Sequence, residues 1–418
     1  MDTVYYLQEG MYMKKTLWTH DFTIITVGTL ISAVGSTAMN FALSLVVFDY
    51  TASTFMTGVF SAISLLPTIL IPILAAPLVD GGNRKRLIVL LDGGNGILYL
   101  LFAVFLFLNG FSYIGYLLFS LITASIGAIY SLAYTSLYPD LIPAGFAQKG
   151  YSVSSLIYPS VTALFTPIAS LLYVYLGIAW ICMMEGVLLL LAALFEANIR
   201  YREKGGSSVF SFQKYKEDLL YGFWYLKKEK GIRSIYGYMA VTNASAEGIS
   251  LVTMAMFQSS FILTTTMYAF LTTADTLGRM VGGVVHYVLH IPAHKRYRVA
   301  LGVYAIYEAL DMAFLFLPYP LMVVNRFTCG FLGINSLNIR ESSTQNYIPS
   351  HMRARVNALF QVLVALIMMA SRFSAGVIAQ YLSYPMTALL FASIAMLSIF
   401  LLIVRNRRSV SQIYNQEL

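Results

Sequence analysis

Twelve apolar runs divide this chain, at 21–48, 54–79, 87–108, 112–138, 151–176, 179–199, 233–261, 267–291, 299–317, 319–340, 354–380 and 384–404. A helix needs about 20 apolar residues to cross the hydrocarbon core. In lipid a helix satisfies its own backbone groups, so it is the open-ended structure that can span. The runs therefore predict an all-α membrane protein with twelve transmembrane helices. Of the 418 residues 58% are apolar and 11% charged, against about 45–50% and about 25% in soluble domains. Those values exclude a soluble enzyme, a disordered chain and a disulfide-stapled secreted domain. Cys182 and Cys329 lie within apolar runs, which excludes a disulfide framework and a thiolate metal site. Met1 to Gly10 lack a basic segment and a small-residue cleavage site. The first span is expected to serve as its own insertion signal.

Lys and Arg set the expected orientation. All but three of the 27 fall in alternate loops: Lys14 and Lys15; Arg84, Lys85 and Arg86; Lys149; a central set from Arg200 to Arg233; Lys295, Arg296 and Arg298; Arg340, Arg353 and Arg355; and Arg405, Arg407 and Arg408. The intervening loops hold none. This segregation follows the positive-inside rule and predicts that both termini are cytoplasmic. The formal charge of +8 is thus a topology signal. The bases sit beside membrane ends rather than on one patch, so no nucleic-acid partner is expected.

The long hydrophilic stretch 200–232 carries Phe212, Tyr215, Leu219, Phe223 and Leu226 at helical spacing. It reads as an amphipathic helix on the membrane surface that links two bundles. The expected units are 1–199 and 233–404, six helices each, followed by a cytoplasmic tail at 405–418. The halves also look like repeats. Asp140-Leu-Ile-Pro143 is echoed by Asn346-Tyr-Ile-Pro349, with the prolines 206 positions apart. Arg84-Lys-Arg86 is echoed by Lys295-Arg-Tyr-Arg298. Two pseudo-symmetric six-helix bundles form a transporter architecture, with the substrate site at their interface near mid-membrane.

Ala76-Pro-Leu-Val-Asp-Gly-Gly-Asn-Arg-Lys-Arg86, after the second span, resembles the loop signature of the major facilitator superfamily. Leu78, Asp80, Arg84 and Lys85 match it, while Ala76 and Asn83 replace its glycines. Further matching segments are Phe48-Asp-Tyr-Thr-Ala-Ser-Thr54, Tyr138-Pro-Asp-Leu-Ile-Pro143, Gln345-Asn-Tyr-Ile-Pro349 and Arg355-Val356. Together they resemble the branch that contains bacterial macrolide-efflux-type drug exporters. The resemblance implies a cytoplasmic gate in which Asp80, with Arg84 and Lys85, docks near the start of the eleventh span beside Arg353 and Arg355. Independently, a carboxylate there can cap the positive end of a neighbouring helix while the bases face lipid phosphates. Many drug/proton antiporters of the superfamily carry an arginine in the fourth span, but Thr123-Ala-Ser-Ile-Gly127 has none. The Gly-Pro-rich antiporter signature of the fifth span is reduced to Thr166-Pro-Ile-Ala-Ser170.

Ionisable groups within the membrane cost about 2.5–3.5 kcal/mol each on insertion scales and are functional candidates by default. The first half has few, Asp92 and Glu185. The second has Glu247, Asp275, Arg279, Glu308, Asp311, Arg326 and Arg372. Asp275 and Arg279 share a helical face, beside Gly278 and Gly282, which are spaced for a close helix approach. The resemblance places spans 7, 8, 10 and 11 around the cavity, so Glu247, Asp275, Arg279, Arg326 and Arg372 form one candidate coupling and substrate network. It leaves Glu308 and Asp311 on a peripheral span, in structural roles. His286, His290 and His294 are spaced by four, but Pro292 interrupts them, and no metal site is expected.

The expected protein is a non-enzymatic secondary transporter of the bacterial cytoplasmic membrane, a monomer among membrane lipids. It would export amphipathic, macrolide-like small molecules by proton antiport, without a cofactor. No Gly-x4-Gly-Lys-Ser/Thr signature is present, which disfavours ATP as the driving force. The alternatives are export of an endogenous metabolite, siderophore or lipid-like molecule, and a non-transporting receptor or scaffold.

Overall fold

The computed structural model describes residues 16–81, 83–143, 146–201, 212–288 and 291–416. The first half comprises α1 (His20–Thr51), α2 (Thr54–Ile63), α3 (Leu66–Gly81), α4 (Arg84–Asn109), α5 (Tyr113–Leu141), α6 (Ala147–Leu176) and α7 (Ile178–Ala197). After α8 (Phe212–Lys228) come α9 (Lys230–Ser259), α10 (Thr265–Val288), α11 (Arg296–Ala313), α12 (Tyr319–Tyr347), α13 (Ser350–Ile378), α14 (Tyr384–Ser398) and α15 (Arg407–Tyr414). Among the described residues nine helical stretches are long and apolar enough to cross a membrane. The remaining long helices, α9, α10 and α12, are interrupted by charged and amide side chains. This is the expected all-α architecture of two six-helix bundles, the major facilitator fold.

Short polar residues start several helices. The side chains of Thr19, Ser53, Asn83 and Ser112 accept the backbone N–H of Phe22, Met56, Arg86 and Gly115, satisfying donors that a first turn leaves open. The second span differs from the single run expected, because it breaks into α2 and α3 at Ser64–Leu65. Pro67 lacks an N–H and its ring crowds the preceding turn, so the chain takes tighter bonds, Leu65 N–H to Ala62 and Thr68 N–H to Leu65. Within the expected tail, Arg407–Tyr414 form α15, whose Val410, Ile413 and Tyr414 are buried against the second half.

Call the face that carries the basic loops, α8 and α15 the basic face, and its opposite the far face. Toward the basic face each half has its own hydrophobic core. One core, including Phe22, Ile88, Leu137 and Tyr138, belongs to the first half. The other, including Leu226, Tyr238, Val356 and Ile413, belongs to α8 and the second half. Toward the far face a single core runs through both, with Phe41, Leu45 and Tyr116 joining Val252, Phe257 and Phe391.

The seams between the halves lie at that far end. In one, α2 meets α13 through Gly58 and Gly376, where a methyl group on Gly58 would stand 2.8 Å from the Arg372 carbonyl. Phe55 meets Phe373 edge-on there. In the other, Ser170 of α6 donates to Thr266 of α10 at 3.1 Å. Gln258 of α9 adds a bond of 2.6 Å to Asp49 of α1, and the Thr54 and Tyr384 hydroxyls pair at 3.2 Å. Hydrophobic packing and hydrogen bonds thus join the halves at the far face.

Candidate functional site

The first half walls a cavity of about 770 Å³, within the range that takes drug-sized ligands. Its walls come mainly from α1, α5, α4 and the second span around the α2–α3 break. They are rich in hydroxyls and tyrosines, and Asp92, Asn95 and Glu185 also line it. Arg372 reaches its rim from the second half. A second cavity of about 310 Å³ lies inside the second half, lined by Glu247, Asp275, Arg279, Asp311 and Arg326 among others.

The five residues expected to form one network are divided among three ion pairs. Arg372 of α13 binds Glu247 of α9, with Nε and Nη2 each 2.7 Å from Oε2. The same guanidinium donates across the seam to the Ser61 carbonyl of α2 at 3.3 Å. Asp275 and Arg279 pair along α10 at 2.7 Å, with the arginine side chain 44% exposed. Arg326 of α12, in the same cavity lining, binds Asp311 of α11. Its guanidinium lies over the Phe314 ring, 3.8 Å from the centroid. Asp311, expected in a peripheral structural role, is therefore the counter-ion of Arg326 and lines the smaller cavity. Sequence could not reveal this pairing, because the partners sit on different helices.

Four residues of the expected gate have described contacts. Arg84 donates to the Ser136 carbonyl at 3.3 Å and stands 3.8 Å from Asp140, and Lys85 donates to the Ile199 carbonyl. Arg353 reaches the Ile348 carbonyl at 3.4 Å, and Arg355 lies over Tyr221 of α8, 5.5 Å from the ring centre. Asp80 lies in the last turn of α3, but its side chain lies outside the described residues, as do the side chains of His286 and His290. Among the described residues no cluster of His, Cys, Asp or Glu could hold a metal ion.

The first half holds more buried acid than expected. Glu196 of α7, fully buried, accepts the Tyr130 hydroxyl at 2.7 Å. Asp92 and Glu185 are 5% and 3% exposed. One oxygen of each of the three has no hydrogen-bond partner, nor does the nearby Ser32 hydroxyl. The signal for Glu196 was its place in the last turn of an apolar run, where sequence suggests an interfacial carboxylate rather than a buried one.

Two bundles joined at one end, with a cavity walled by the first and reached by Arg372 of the second, belong to a non-enzymatic membrane transporter of the major facilitator type. The model of the family described as transmembrane secretion effector matches residues 16–416; the chain belongs to that family. None of the curated proteins matches it. Among solved structures it is similar to the nucleoside transporter NupG, with a TM-score of 0.70 and 12% identity over 92% of this chain and 99% of that one. It is also similar to a bacterial homologue of the iron transporter ferroportin. The inward-facing state of that protein gives a TM-score of 0.71 and 13% identity, covering 95% of this chain and 98% of that one. Its outward-facing state gives 0.62 and 14%, covering 95% and 99%. These likenesses concern the fold.

Proposed function

We propose that this protein is a proton-coupled exporter of amphipathic, macrolide-like small molecules, a monomer in the bacterial cytoplasmic membrane with its basic face in the cytoplasm. The observation that carries this reading is the cavity of drug-accommodating size, walled by the first half and reached by Arg372 of the second. The Lys/Arg segregation supports the orientation. Substrate enters the cavity from the cytoplasm or the inner leaflet. Rocking of the halves then closes the basic side and opens the seams at Gly58–Gly376 and Ser170–Thr266. The pairs Glu247–Arg372 and Asp275–Arg279 are the coupling candidates, and the first has a mechanical path. A proton on Glu247 removes the charge that holds Arg372, and with it the Arg372 link to Ser61 across the seam.

The test uses inside-out proteoliposomes with an acid lumen and a panel of macrolides and other amphipathic drugs. Accumulation that collapses when the pH gradient is dissipated is expected. Glu247→Gln should abolish that accumulation yet retain exchange of substrate against substrate. Flux indifferent to the gradient would overturn the coupling, and no flux of any drug would overturn the substrate class.

A further inference from the structure

The acids that line the two cavities have different partners. Glu308 of the second half, 1% exposed with neither oxygen hydrogen-bonded, is outside both linings; Glu247, Asp275 and Asp311, which line the smaller cavity of that half, each have an arginine. In the first half, Asp92, Glu185 and Glu196 are buried without one, and among the described lining residues of the main cavity the only cation is Arg372, already committed to Glu247. Buried carboxylates are retained where they meet a counter-ion or a function. We propose that Asp92 and Glu185 form a recognition site for the cationic end of an organic substrate, a bulky ammonium or comparable monocation. This deepens the transport reading and rests on it.

The packing supports a purpose-built position. Gly28, Ser32 and Gly35 lie on one face of α1, opposite α7. A methyl group on Gly35 would stand 1.7 Å from Glu185 Oε2, and one on Gly28 3.4 Å from Glu196 Cγ. The missing side chains leave room for the two glutamates to lie across α1 instead of being expelled. Asp92 approaches from α4, where Gly96 packs against the Gly186 carbonyl of α7; a methyl on Gly96 would stand 2.9 Å from that oxygen.

The surroundings favour a large, diffuse cation over a metal. The described carboxylates do not converge into a metal-binding cluster. Tyr99, Tyr130, Tyr134 and Tyr158 share the cavity lining, and aromatic faces attract organic cations through their ring quadrupole. Tyr130 and Tyr134 stack along α5 with centroids 6.0 Å apart, and the Tyr130 hydroxyl ties the cavity to Glu196. A ligand with an apolar body and one positive end would fill the hydroxyl- and tyrosine-lined space and place its charge between Asp92 and Glu185.

The test is equilibrium binding to the purified full chain in detergent, with no gradient, using tetraphenylphosphonium and the neutral triphenylphosphine oxide as probes. Tetraphenylphosphonium is permanently charged, so its own protonation cannot intervene. It should bind at least tenfold more tightly than the neutral probe, about 1.4 kcal/mol. The pair Asp92→Asn with Glu185→Gln should remove that preference and leave the neutral probe unchanged. Gly35→Ala, which keeps every charge but displaces the Glu185 carboxylate, should weaken tetraphenylphosphonium by several-fold and covers the case in which the double variant does not fold. Equal affinity for the two probes, or a preference that survives these substitutions, would overturn the proposal. So would variants that lose proton uptake with tetraphenylphosphonium affinity intact, which would mark the acids as proton carriers only. Selective binding without transport in proteoliposomes would leave the site standing and sink the transport reading instead.

Discussion

At the scale of single residues, the membrane-embedded ion pairs are not equivalent. Asp275 and Arg279 are 25% and 44% exposed, whereas Asp311 and Arg326 are 3% and 15% exposed. A hydrated pair contributes about 0–1 kcal/mol. Removing one partner of a buried pair costs about 3–5 kcal/mol, because the other charge is stranded. Asp311→Asn should therefore lower thermal stability sharply and Asp275→Asn only slightly, as read by melting of the purified protein. Comparable losses in the two would mean that the α10 pair is as dry as the other. The sequence made the α10 pair legible because four residues along a helix bring side chains together. It did not reveal the counter-ion of Arg326, since Asp311 lies on another helix and only the fold brings it near. The buried acids of the first half were half legible: Asp92 and Glu185 stood out as charges within spans, while Glu196 looked like the end of one.

At the scale of helices, glycine decides where backbones cross. The spacing of Gly278 and Gly282 predicted a close approach for α10 but not its partner, which the structure shows to be α12. A methyl group on Gly330 would stand 2.0 Å from the Asp275 carbonyl oxygen, and one on Gly278 2.1 Å from that of Phe327. These are contacts with backbone, which cannot swing aside. Gly330→Ala should cost at least the 1–3 kcal/mol typical (roughly) of overpacking, read as lower expression and melting temperature. Gly302, also helical, has nothing within 4 Å of the same added atom. Gly302→Ala should be neutral or stabilising by up to about 1 kcal/mol, from helix propensity alone. If both behave alike, the α10–α12 crossing is not as close as described. The break in the second span shows the limit of hydropathy: the apolar run continues through Ser64–Leu65, and Pro67 alone marks where the helix changes direction.

At the scale of the whole molecule, the number of spans and the two-bundle fold were legible, because the apolar runs and the basic loops are periodic properties of the chain. Which end is closed was not, because that depends on how Gly58, Gly376, Ser170 and Thr266 meet across the halves. The closed far face gives a direct test of the alternating cycle. The Ser170 and Thr266 hydroxyls are 3.1 Å apart, so cysteines at both positions lie within reach of a disulfide once their side chains rotate. Cys182 and Cys329 are buried and can stay in place. Mild oxidation of Ser170→Cys/Thr266→Cys should cross-link the two halves, visible after a protease cut between 202 and 211. The cross-linked protein should still bind probes from the basic face but transport nothing, because opening the far face requires these positions to part. Reduction should restore transport. A single cysteine at Asn109, at the far end of α4, should meanwhile react with an impermeant reagent added outside cells, and one at Lys228 should not. Transport that persists with the cross-link fully formed would mean that this seam does not open during the cycle.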